Sequence, residues 1–432
     1  MARTTNLSDL SPKCLLMIFK LLPNLEDQLN LARCCRTLRD VFIHLHQQHF
    51  HEIQDRHINL KSFEDWQTFL WLCGENVRSL HSYYDDDHPL QLWPLITKYC
   101  TRLESLTIRN ATVTRTQSYL LRMTTLQRVH IRNYKSTSKD LIKNILLRLP
   151  YIISLGLESF DRRELQELRH FRNLEELLIY DDIQLSGSEF TAITKSMKNL
   201  RVLQLGNAKR FLTTSILKQL SSCCPKLEKL SYNDSTADPM CLVNFSQLQY
   251  LQIWCPDELK TRFFKALASQ CSTHLAFLVL QRKRWINEEQ AQHISALRSL
   301  RWLVCKPRDN RSVHWLSGLT KLESLSVQCA RDIGETELSL LVANNENLCY
   351  LNICYCLGIT DSFIVDTLVN LAKRQSHNPL ELYAAATDIR RDIVERLPTA
   401  NYPLQMLQVH FEVSDGMLLN DHYFNDEPEF DR

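Results

Sequence analysis

One spacing of apolar residues recurs along most of this chain. Apolar residues, mostly leucine, isoleucine or valine, occupy the first, fourth and sixth positions of a short segment, and polar or variable residues fill the positions between them. Thirteen copies begin at residues 103, 126, 152, 174, 200, 227, 248, 275, 300, 322, 348, 377 and 404, where the copy at 377 is degenerate and carries Leu380 and Leu382. The intervals run from 21 to 29 residues, and a weaker early copy is indicated by Val77 and Leu80.

The segments between the copies follow a different period. Leu141, Ile145 and Leu149 are spaced i, i+4, i+8, which places them on one side of a helix. The pattern therefore predicts units of one short strand followed by one helix. A single unit of this kind cannot bury its own leucines, whereas stacked units share a core. The sequence thus predicts an α/β solenoid in which the bulkier helices form the outside of a curve.

The repeat resembles the leucine-rich repeat, whose period of roughly 20 to 29 residues includes the average spacing found here. The segment Leu348–Phe363, LCYLNICYCLGITDSF, is similar to the cysteine-containing class of that repeat, with Cys354 after the apolar core. Asp361 is predicted to cap the helix that follows. The resemblance implies a curved horseshoe of about 13 repeats over residues 100–411, preceded by a helical linker and degenerate cap over 51–99.

Residues 6–50 have a different character. Leu15, Ile18, Phe19 and Leu22 form one apolar stripe at helical spacing, and Pro23 ends that helix. Further short helices are predicted up to about residue 45. A helical segment this small cannot enclose a large core, so it completes its core against a partner or against the first repeats. The pattern alone leaves both interpretations open.

This segment resembles the F-box, a small all-helical domain. The resemblance rests on Leu10, Pro12, the run from Leu15 to Phe19, the pair Leu22-Pro23, Asp27-Gln28-Leu29 and Cys35-Arg36. It implies docking onto the Skp adaptor and, through it, onto cullin and RING subunits. The implied adaptor-facing residues are Leu10, Pro12, Leu15, Leu16, Ile18, Phe19 and Leu22.

Together, the two resemblances imply a substrate-recognition subunit of an SCF-type ubiquitin ligase that marks target proteins for proteasomal degradation. The chain would itself be non-catalytic, because no nucleophile elbow, phosphate loop or paired-carboxylate motif is visible. No cofactor is expected. The alternative is a leucine-rich-repeat scaffold that binds proteins outside a ubiquitin ligase.

Composition limits the possible partners and the cellular location of the protein. The formal net charge is +2, which does not favour nucleic acid as a partner, and no run of apolar residues is long enough to span a membrane. The start has no apolar stretch typical of a secretory signal, so the 15 cysteines are interpreted as reduced thiols of a cytoplasmic or nuclear protein.

The third, fifth and seventh positions of each copy are predicted to face the inner surface of the sheet, where an unknown protein substrate would bind. Arg109, Arg128, His130 and Arg132 form a basic patch suited to an acidic or phosphorylated element. Exposed aromatic residues often anchor protein interfaces. The aromatic candidates are Tyr180, Tyr250, Trp254, Phe277, Trp302, Tyr350 and Tyr383, although some of these rings can instead cover neighbouring strands.

Two further features have open interpretations. Residues 412–432 hold seven acidic residues and one basic residue, which is typical of a solvated tail. Alternatively, Tyr423 and Phe424 fold back onto the inner face. His44, His46, His49 and His51 are close together in sequence, but no cysteine or carboxylate completes a known zinc spacing, so no metal site is predicted.

Overall fold

The computed structural model describes residues 6–47, 49–54, 58, 60–82, 92–109, 113–132, 140–182, 184–233, 235–254, 259–281, 285–330, 332–375, 378–396 and 404–413. The chain divides into two compact units, Met1–Gly206 and Asn207–Arg432. The predicted tail beyond residue 413, with Tyr423 and Phe424, lies outside the described residues. Each unit is described by itself.

The first unit begins with three helices and continues as alternating strands and helices. Its helices are α1 Pro12–Leu21, α2 Leu25–Cys34, α3 Arg36–His46, α4 Phe63–Cys73, α5 Trp93–Tyr99, α6 Val113–Leu120, α7 Leu141–Arg148, α8 Arg162–Gln166 and α9 Gly187–Ser196. Its strands are β1 Glu52–Gln54, β2 Ser79–Ser82, β3 Ser105–Arg109, β4 Arg128–Arg132, β5 Ser154–Leu157, β6 Glu176–Ile179 and β7 Val202–Asn207. Single 3-10 turns form at Leu7–Asp9, Gly74–Asn76 and Glu167–His170.

The second unit repeats the same alternation. Its helices are α10 Thr214–Cys223, α11 Thr261–Cys271, α12 Glu288–Ser295, α13 Asn310–Leu316, α14 Glu335–Asn344, α15 Asp361–Ala372 and α16 Arg391–Arg396. Its strands are β8 Lys229–Asn233, β9 Tyr250–Trp254, β10 Phe277–Gln281, β11 Trp302–Val304, β12 Ser324–Ser326, β13 Tyr350–Asn352, β14 Leu380–Tyr383 and β15 Leu407–His410. Short 3-10 helices form at Pro239–Asn244 and Leu404–Met406.

Within each unit, every strand pairs in parallel with the strand that precedes it in sequence. The residues at the fourth position of the repeat are register partners along the sheet, as in the series Leu278, Leu303, Leu325 and Leu351. These four side chains are fully buried. The predicted α/β solenoid is therefore confirmed, because stacking aligns the leucines of successive units into one continuous core.

The strands begin earlier than the clear copies of the repeat. Leu80 pairs with Leu106, so the weak copy at Val77 and Leu80 is a strand of the sheet. A strand that the pattern did not predict precedes it, because Ile53 pairs with Leu80. That strand has three residues and carries only one buried apolar side chain, so no repeat pattern marks it.

The last two copies are shifted by two residues from the predicted alignment. Leu351 pairs with Leu382, and Leu382 pairs with Val409, so Leu382 and Val409 occupy the fourth position rather than the sixth. The predicted start at His377 lies outside the described residues. Side chains on a strand alternate with a period of two, so a shift of two residues leaves the same apolar residues facing the core.

The predicted cap of α15 is also corrected. Thr360 is the N-cap residue, and its hydroxyl accepts a hydrogen bond from the amide of Ser362 at 3.4 Å. Asp361 is the first residue of the helix, and its carboxylate instead accepts two hydrogen bonds from Arg390, both at 2.7 Å. The side chain therefore connects α15 to the segment before α16.

A left-handed turn follows three successive strands. Cys329, Tyr355 and Ala386 have φ angles of 61°, 61° and 53°, and each lies three residues after aligned strand residues. The amide of Cys329 donates to the carbonyl of Cys354 at 2.9 Å, and the amide of Tyr355 donates to that of Ala385 at 2.8 Å. Hydrogen bonds between neighbouring repeats thus hold a backbone conformation that favours glycine.

We expect Ala386→Gly to stabilise the second unit. A left-handed conformation costs an alanine about 1–2 kcal/mol, whereas the greater chain entropy of glycine costs about 0.5–1 kcal/mol, so the net gain is up to about 1.5 kcal/mol. The neighbouring substitution Ala385→Gly is the matched control, because Ala385 lacks a positive φ and should lose stability. Urea unfolding measures both, and a lower midpoint for Ala386→Gly would contradict the prediction.

Candidate protein-binding surfaces

One side of α1 belongs to the internal core of the helical segment. Leu15 and Phe19 are fully buried, and the ring centroids of Phe19 and Phe42 lie 6.1 Å apart, which joins α1 to α3. Ser11 caps the helix by accepting a hydrogen bond from the amide of Cys14 at 3.4 Å. Leu15 and Phe19 are therefore committed to the chain's own core, although they were predicted to face the adaptor.

Exposed apolar residues lie on the opposite side of α1, beside the exposed Lys13 and Lys20. Leu10, Met17 and Leu21 expose 41%, 65% and 80% of their surface, and we call these three residues the N-terminal apolar patch. Of the other adaptor-facing candidates, Pro12 is exposed, and Leu16, Ile18 and Leu22 are half-buried. Sequence analysis missed Met17 and Leu21, which form a second i, i+4 stripe about 200–240° around the helix from Leu15.

The helical segment also packs against α4. A guanidinium nitrogen of Arg33 lies 2.7 Å from a carboxylate oxygen of Asp65, and Arg33 Nε donates to the hydroxyl of Thr68 at 3.0 Å. The rings of Phe50 and Phe69 meet edge to face with centroids 4.8 Å apart. These contacts use α2 and the end of the helical segment, while the N-terminal apolar patch lies on α1 and the turn before it.

Three of the four histidines in this region form hydrogen bonds with different partners. His46 shares a hydrogen bond of 2.7 Å with the side-chain oxygen of Gln28, His49 donates to the carbonyl of Leu45, and His51 donates to that of Asn76. His46 also lies 4.5 Å from Phe42 and 5.0 Å from Phe50, ring centre to ring centre. No group of three metal-ligating side chains occurs among the described residues.

On the sheet, the third, fifth and seventh positions of the repeats form a surface that we call the open face. In the first unit, Arg132 is 6% exposed, its Nε donates to Glu158 at 3.1 Å, and its guanidinium lies 4.5 Å above the ring of Tyr180. Arg109 is its register partner on β3. The structure therefore places three predicted residues on neighbouring parts of the open face of this unit.

The predicted basic patch is partly neutralised. Glu158 pairs with Arg132, and a carboxylate oxygen of Glu176 lies 3.8 Å from Nε of Arg128. Sequence analysis overlooked both glutamates, although they occupy the seventh and third positions of the next copies and so follow the same rule as the arginines. Carboxylates beside these arginines reduce the attraction of this surface for an acidic ligand.

Gly156 allows the polar residues of this surface to approach one another. A Cβ atom at this position would lie 2.8 Å from the imidazole of His130 and 3.0 Å from the hydroxyl of Tyr180. His130 in turn shares a 3.0 Å hydrogen bond with the hydroxyl of Ser154. The glycine is therefore required by the close approach of His130 on β4 and of Tyr180, directly after β6, rather than by a turn.

In the second unit, three predicted aromatic residues are register partners at the third position. The ring centroids of Tyr250 and Phe277 are 6.0 Å apart, and those of Phe277 and Trp302 are 5.7 Å apart. We call these residues the aromatic ladder. Tyr250 is buried and donates to the side-chain oxygen of Gln252 at 2.6 Å, so Phe277 and Trp302 carry the half-exposed aromatic surface. Trp254 is half-buried at the seventh position of β9.

A second aromatic group lies on β13 to β15. The rings of Tyr350 and Tyr383 are 5.1 Å apart, and His410 stacks on Tyr383 at 4.5 Å with an interplanar angle of 19°. Ser324, the third-position residue on β12, is buried between the two groups in register. Sequence analysis did not include His410, which the shifted alignment of the last strand places beside Tyr383.

Several solved structures are similar to this chain. A chain of the yeast Rad7–Elc1 complex matches 80% of this chain over 88% of its own length, at 17% identity and a TM-score of 0.51. An internalin, inlF, of Listeria monocytogenes matches 91% over 98% of its length at 17% identity and 0.46. A leucine-rich-repeat protein of Leptospira interrogans matches 79% over 92% of its length at 16% identity and 0.38. No family model and no curated protein sequence matches the chain.

The fold is that of a leucine-rich-repeat solenoid. This conclusion rests on the register of the buried leucines and on the repeat of one strand and one helix within each unit. Among the described residues, no helix has the length and apolarity needed to cross a membrane. The 14 cysteines of the described residues are free thiols, and Cys255 lies outside those residues.

We expect acid to weaken the helical segment through His46. Burial, reinforced by the neighbouring His49, lowers the pKa of His46 from its usual 6.5 to about 4. The unfolded chain therefore binds more protons than the folded chain between these values, so stability falls as pH drops from 6.5 towards 4. We predict that His46→Gln, which cannot titrate, has a melting temperature that depends less steeply on pH in this range.

The comparison is made by circular dichroism of both proteins between pH 7.5 and 4.5. The difference between their melting curves isolates His46, because the carboxylates that titrate in the same range are common to both. Parallel pH profiles for the two proteins would show that His46 does not couple folding to pH.

Proposed function

We propose that this chain is the substrate-recognition subunit of an SCF-type ubiquitin ligase. The observation that carries the proposal is the N-terminal apolar patch, an exposed apolar surface on a small helical segment that precedes a leucine-rich-repeat solenoid. In this role the helical segment docks onto the Skp adaptor, which connects it to cullin and RING subunits. The solenoid holds the target protein for ubiquitination and degradation.

In this proposal the chain positions the target protein and does not itself catalyse its ubiquitination. Catalysis belongs to the recruited conjugating enzyme, and the receptor raises the local concentration of the target and orients it. The similarity to a chain of the Rad7–Elc1 complex supports the proposal, since Rad7 and Elc1 form a two-protein complex. That similarity concerns the fold, so the identity of the adaptor is part of the proposal.

The energy available for docking depends on residues beyond the buried core of α1. Burying the exposed parts of Leu10, Met17 and Leu21 yields about 3–6 kcal/mol in total, at roughly 1.5–3 kcal/mol for a fully exposed side chain. Association costs about 4–15 kcal/mol, so these three residues alone give at most a weak complex. Additional burial of the half-exposed Leu16 and Ile18 is therefore needed for tight binding.

The alternative is a protein-binding scaffold that acts outside a ubiquitin ligase. It is favoured by the contacts of Arg33 with Asp65 and Thr68, which attach the helical segment to α4. These contacts give the segment a structural role that needs no adaptor. They do not cover the N-terminal apolar patch, so the two interpretations differ in whether a second protein binds there.

Target capture is assigned to the open face of the second unit. Phe277 and Trp302 expose part of their rings beside one another, and aromatic side chains frequently dominate binding energy at protein interfaces. The arginines of the first unit are weaker candidates, because Glu158 and Glu176 lie beside two of them. We therefore propose that the main anchor of the target is apolar rather than phosphorylated.

The first prediction concerns the adaptor. Copurification of the full chain with the Skp adaptor should succeed for the wild type and fail for the double variant Met17→Lys, Leu21→Lys. Both side chains are exposed, so the substitutions should leave the fold intact while placing two charges in the docking surface. A Phe19→Ala variant is unsuitable, because it would create a cavity in the internal core.

Leu147→Lys is the matched control, because Leu147 is 69% exposed on α7, away from the helical segment. Circular dichroism confirms folding of all three proteins. If the folded wild type does not bind the adaptor, the scaffold alternative replaces the receptor proposal.

The second prediction concerns target capture. Phe277→Ala combined with Trp302→Ala should remove a subset of the proteins that copurify with the chain, as measured by quantitative mass spectrometry. Losing two central aromatic anchors typically weakens binding by about 2 kcal/mol or more, which is roughly 30-fold. Recovery of the Skp adaptor should be unchanged, and circular dichroism establishes that the variant still folds.

Tyr151→Ala provides the control, because Tyr151 is a 66% exposed aromatic residue between α7 and β5 rather than on the open face. An unchanged set of partners for the Phe277 and Trp302 variant would remove the aromatic ladder from the proposal. A loss caused equally by Tyr151→Ala would do the same.

A further inference from the structure

Exposed charges in the first unit are distributed unevenly. Among the described residues from 93 to 200, eleven lysines and arginines are exposed, whereas only three carboxylates are. Those three belong to Asp140, Asp161 and Asp182, and each lies between the end of a strand and the start of the next helix. The net charge of +2 for the whole chain conceals this local excess of positive charge.

Most of the exposed basic residues lie at the opposite edge of the sheet, where helices end and strands begin. Some belong to the last turn of α5, α7, α9 or the 3-10 turn Glu167–His170, and the others follow a helix before the next strand. We call this set the basic row. It consists of Lys98, Arg102, Arg122, Arg148, Arg169, Arg172, Lys195 and Lys198.

The carboxylates at this edge do not neutralise the basic row. Glu104, Glu175 and Glu176 are half-buried there. Glu104 lies 3.5 Å from Arg78, and Glu176 lies 3.8 Å from Arg128, and neither arginine belongs to the row. No residue of the row forms an ion pair with a described carboxylate. The eight positive charges therefore exceed the remaining negative charge at this edge.

Helix dipoles alone do not account for the basic row. A cation near the C-terminus of a helix is stabilised by the helix dipole, but this effect is confined to the last turn. Arg102, Arg172 and Lys198 lie beyond the ends of their helices. In the second unit, the last turns of α10, α11 and α14 contain no basic residue. The fold of the repeats therefore does not require positive charges at this edge.

The length of the basic row is suited to a phosphate backbone. The row crosses five successive helical elements from α5 to α9, with α8 and the 3-10 turn after it taken together. Packed helices lie about 8–10 Å apart, so the row is about 32–40 Å long. One turn of a DNA duplex is about 34–36 Å long, and each strand carries one negative charge per roughly 3.4 Å. Each basic side chain of the row can therefore meet a phosphate.

Little apolar surface accompanies the basic row. Among the described residues from 93 to 200, large exposed apolar or aromatic side chains are confined to Leu147 and Tyr151, at the end of α7. Protein interfaces depend on clustered aromatic anchors, and a membrane surface requires apolar side chains along the contact. A single strand is bound by stacking successive bases on several rings. A row of charges with one exposed ring instead fits a duplex.

We propose that the basic row of the first unit binds the phosphate backbone of a nucleic-acid duplex. Contacts to phosphates position a duplex without reading its bases, so the binding is independent of sequence. The proposal depends neither on adaptor binding nor on target capture by the second unit.

Fluorescence anisotropy of the full chain with a labelled DNA duplex of about 30 base pairs tests this proposal at salt concentrations from about 30 to 150 mM. The wild type should bind two unrelated sequences equally. The logarithm of its affinity should fall with the logarithm of salt concentration at a slope of about −4 to −7, because each neutralised phosphate contributes about −0.9. Arg172→Glu combined with Lys198→Glu should weaken binding more than about tenfold at 100 mM salt and make the slope shallower by about 2.

Lys218→Glu combined with Lys265→Glu is the matched control. It changes the net charge by the same amount at exposed positions on α10 and α11 of the second unit, so its affinity should stay near that of the wild type. Circular dichroism establishes that all three proteins are folded. A wild type that does not bind at the lowest salt concentration overturns the proposal, and so does an equal loss of affinity in the control.

Two competitors distinguish a duplex from other polyanions. Unlabelled duplex should displace the labelled probe at a much lower concentration of charge than poly-L-glutamate, whose charge density is lower, or a single strand of the same length. If poly-L-glutamate competes equally well, the row is an unselective basic surface and the proposal is wrong. If the single strand competes better than the duplex, the duplex assignment is wrong.

Discussion

Burial of the fourth-position leucine is the interaction on which the structure depends. Within each unit, this side chain lies between its counterparts wherever a strand has two neighbours, and from β8 to β14 the residue at this position is fully buried. A single repeat cannot bury this side chain alone, because the repeats before and after it cover two of its sides. The parallel register, the helices behind the sheet and the alternation on the open face all follow from satisfying this one requirement.

The fold could be predicted from sequence because this requirement leaves a periodic signal. The register from Leu106 to Leu351 follows the spacing of the leucines within each unit, and errors appear only where the spacing degrades. The strand at Glu52–Gln54 has one buried side chain and so no period to detect. In the last two strands, Leu380, Leu382, Leu407 and Val409 supply apolar residues at both possible alignments, and the hydrogen-bonded register decides between them.

The surfaces were harder to predict, because exposure depends on neighbours that the sequence does not identify. Leu15 and Met17 are both apolar residues of α1, yet one is fully buried and the other is 65% exposed. Periodicity detected the stripe that became the core and overlooked the second stripe behind it. Arg132 similarly looked like a free charge until the register placed Glu158 and Tyr180 beside it. The aromatic residues at the third position were located correctly on the sheet, although Tyr250 is buried.

The two-residue shift at the end of the second unit has a consequence for how such a chain can change over evolutionary time. A strand displaced by two residues keeps its inward and outward side chains on their original faces, whereas a displacement by one would exchange them. Small insertions or deletions next to these strands should therefore be retained when they change the alignment by an even number of residues. Insertions and deletions in this part of the molecule would then mostly change the alignment by even numbers of residues. The same side chains would stay on the open face while the sequences of the repeats diverge.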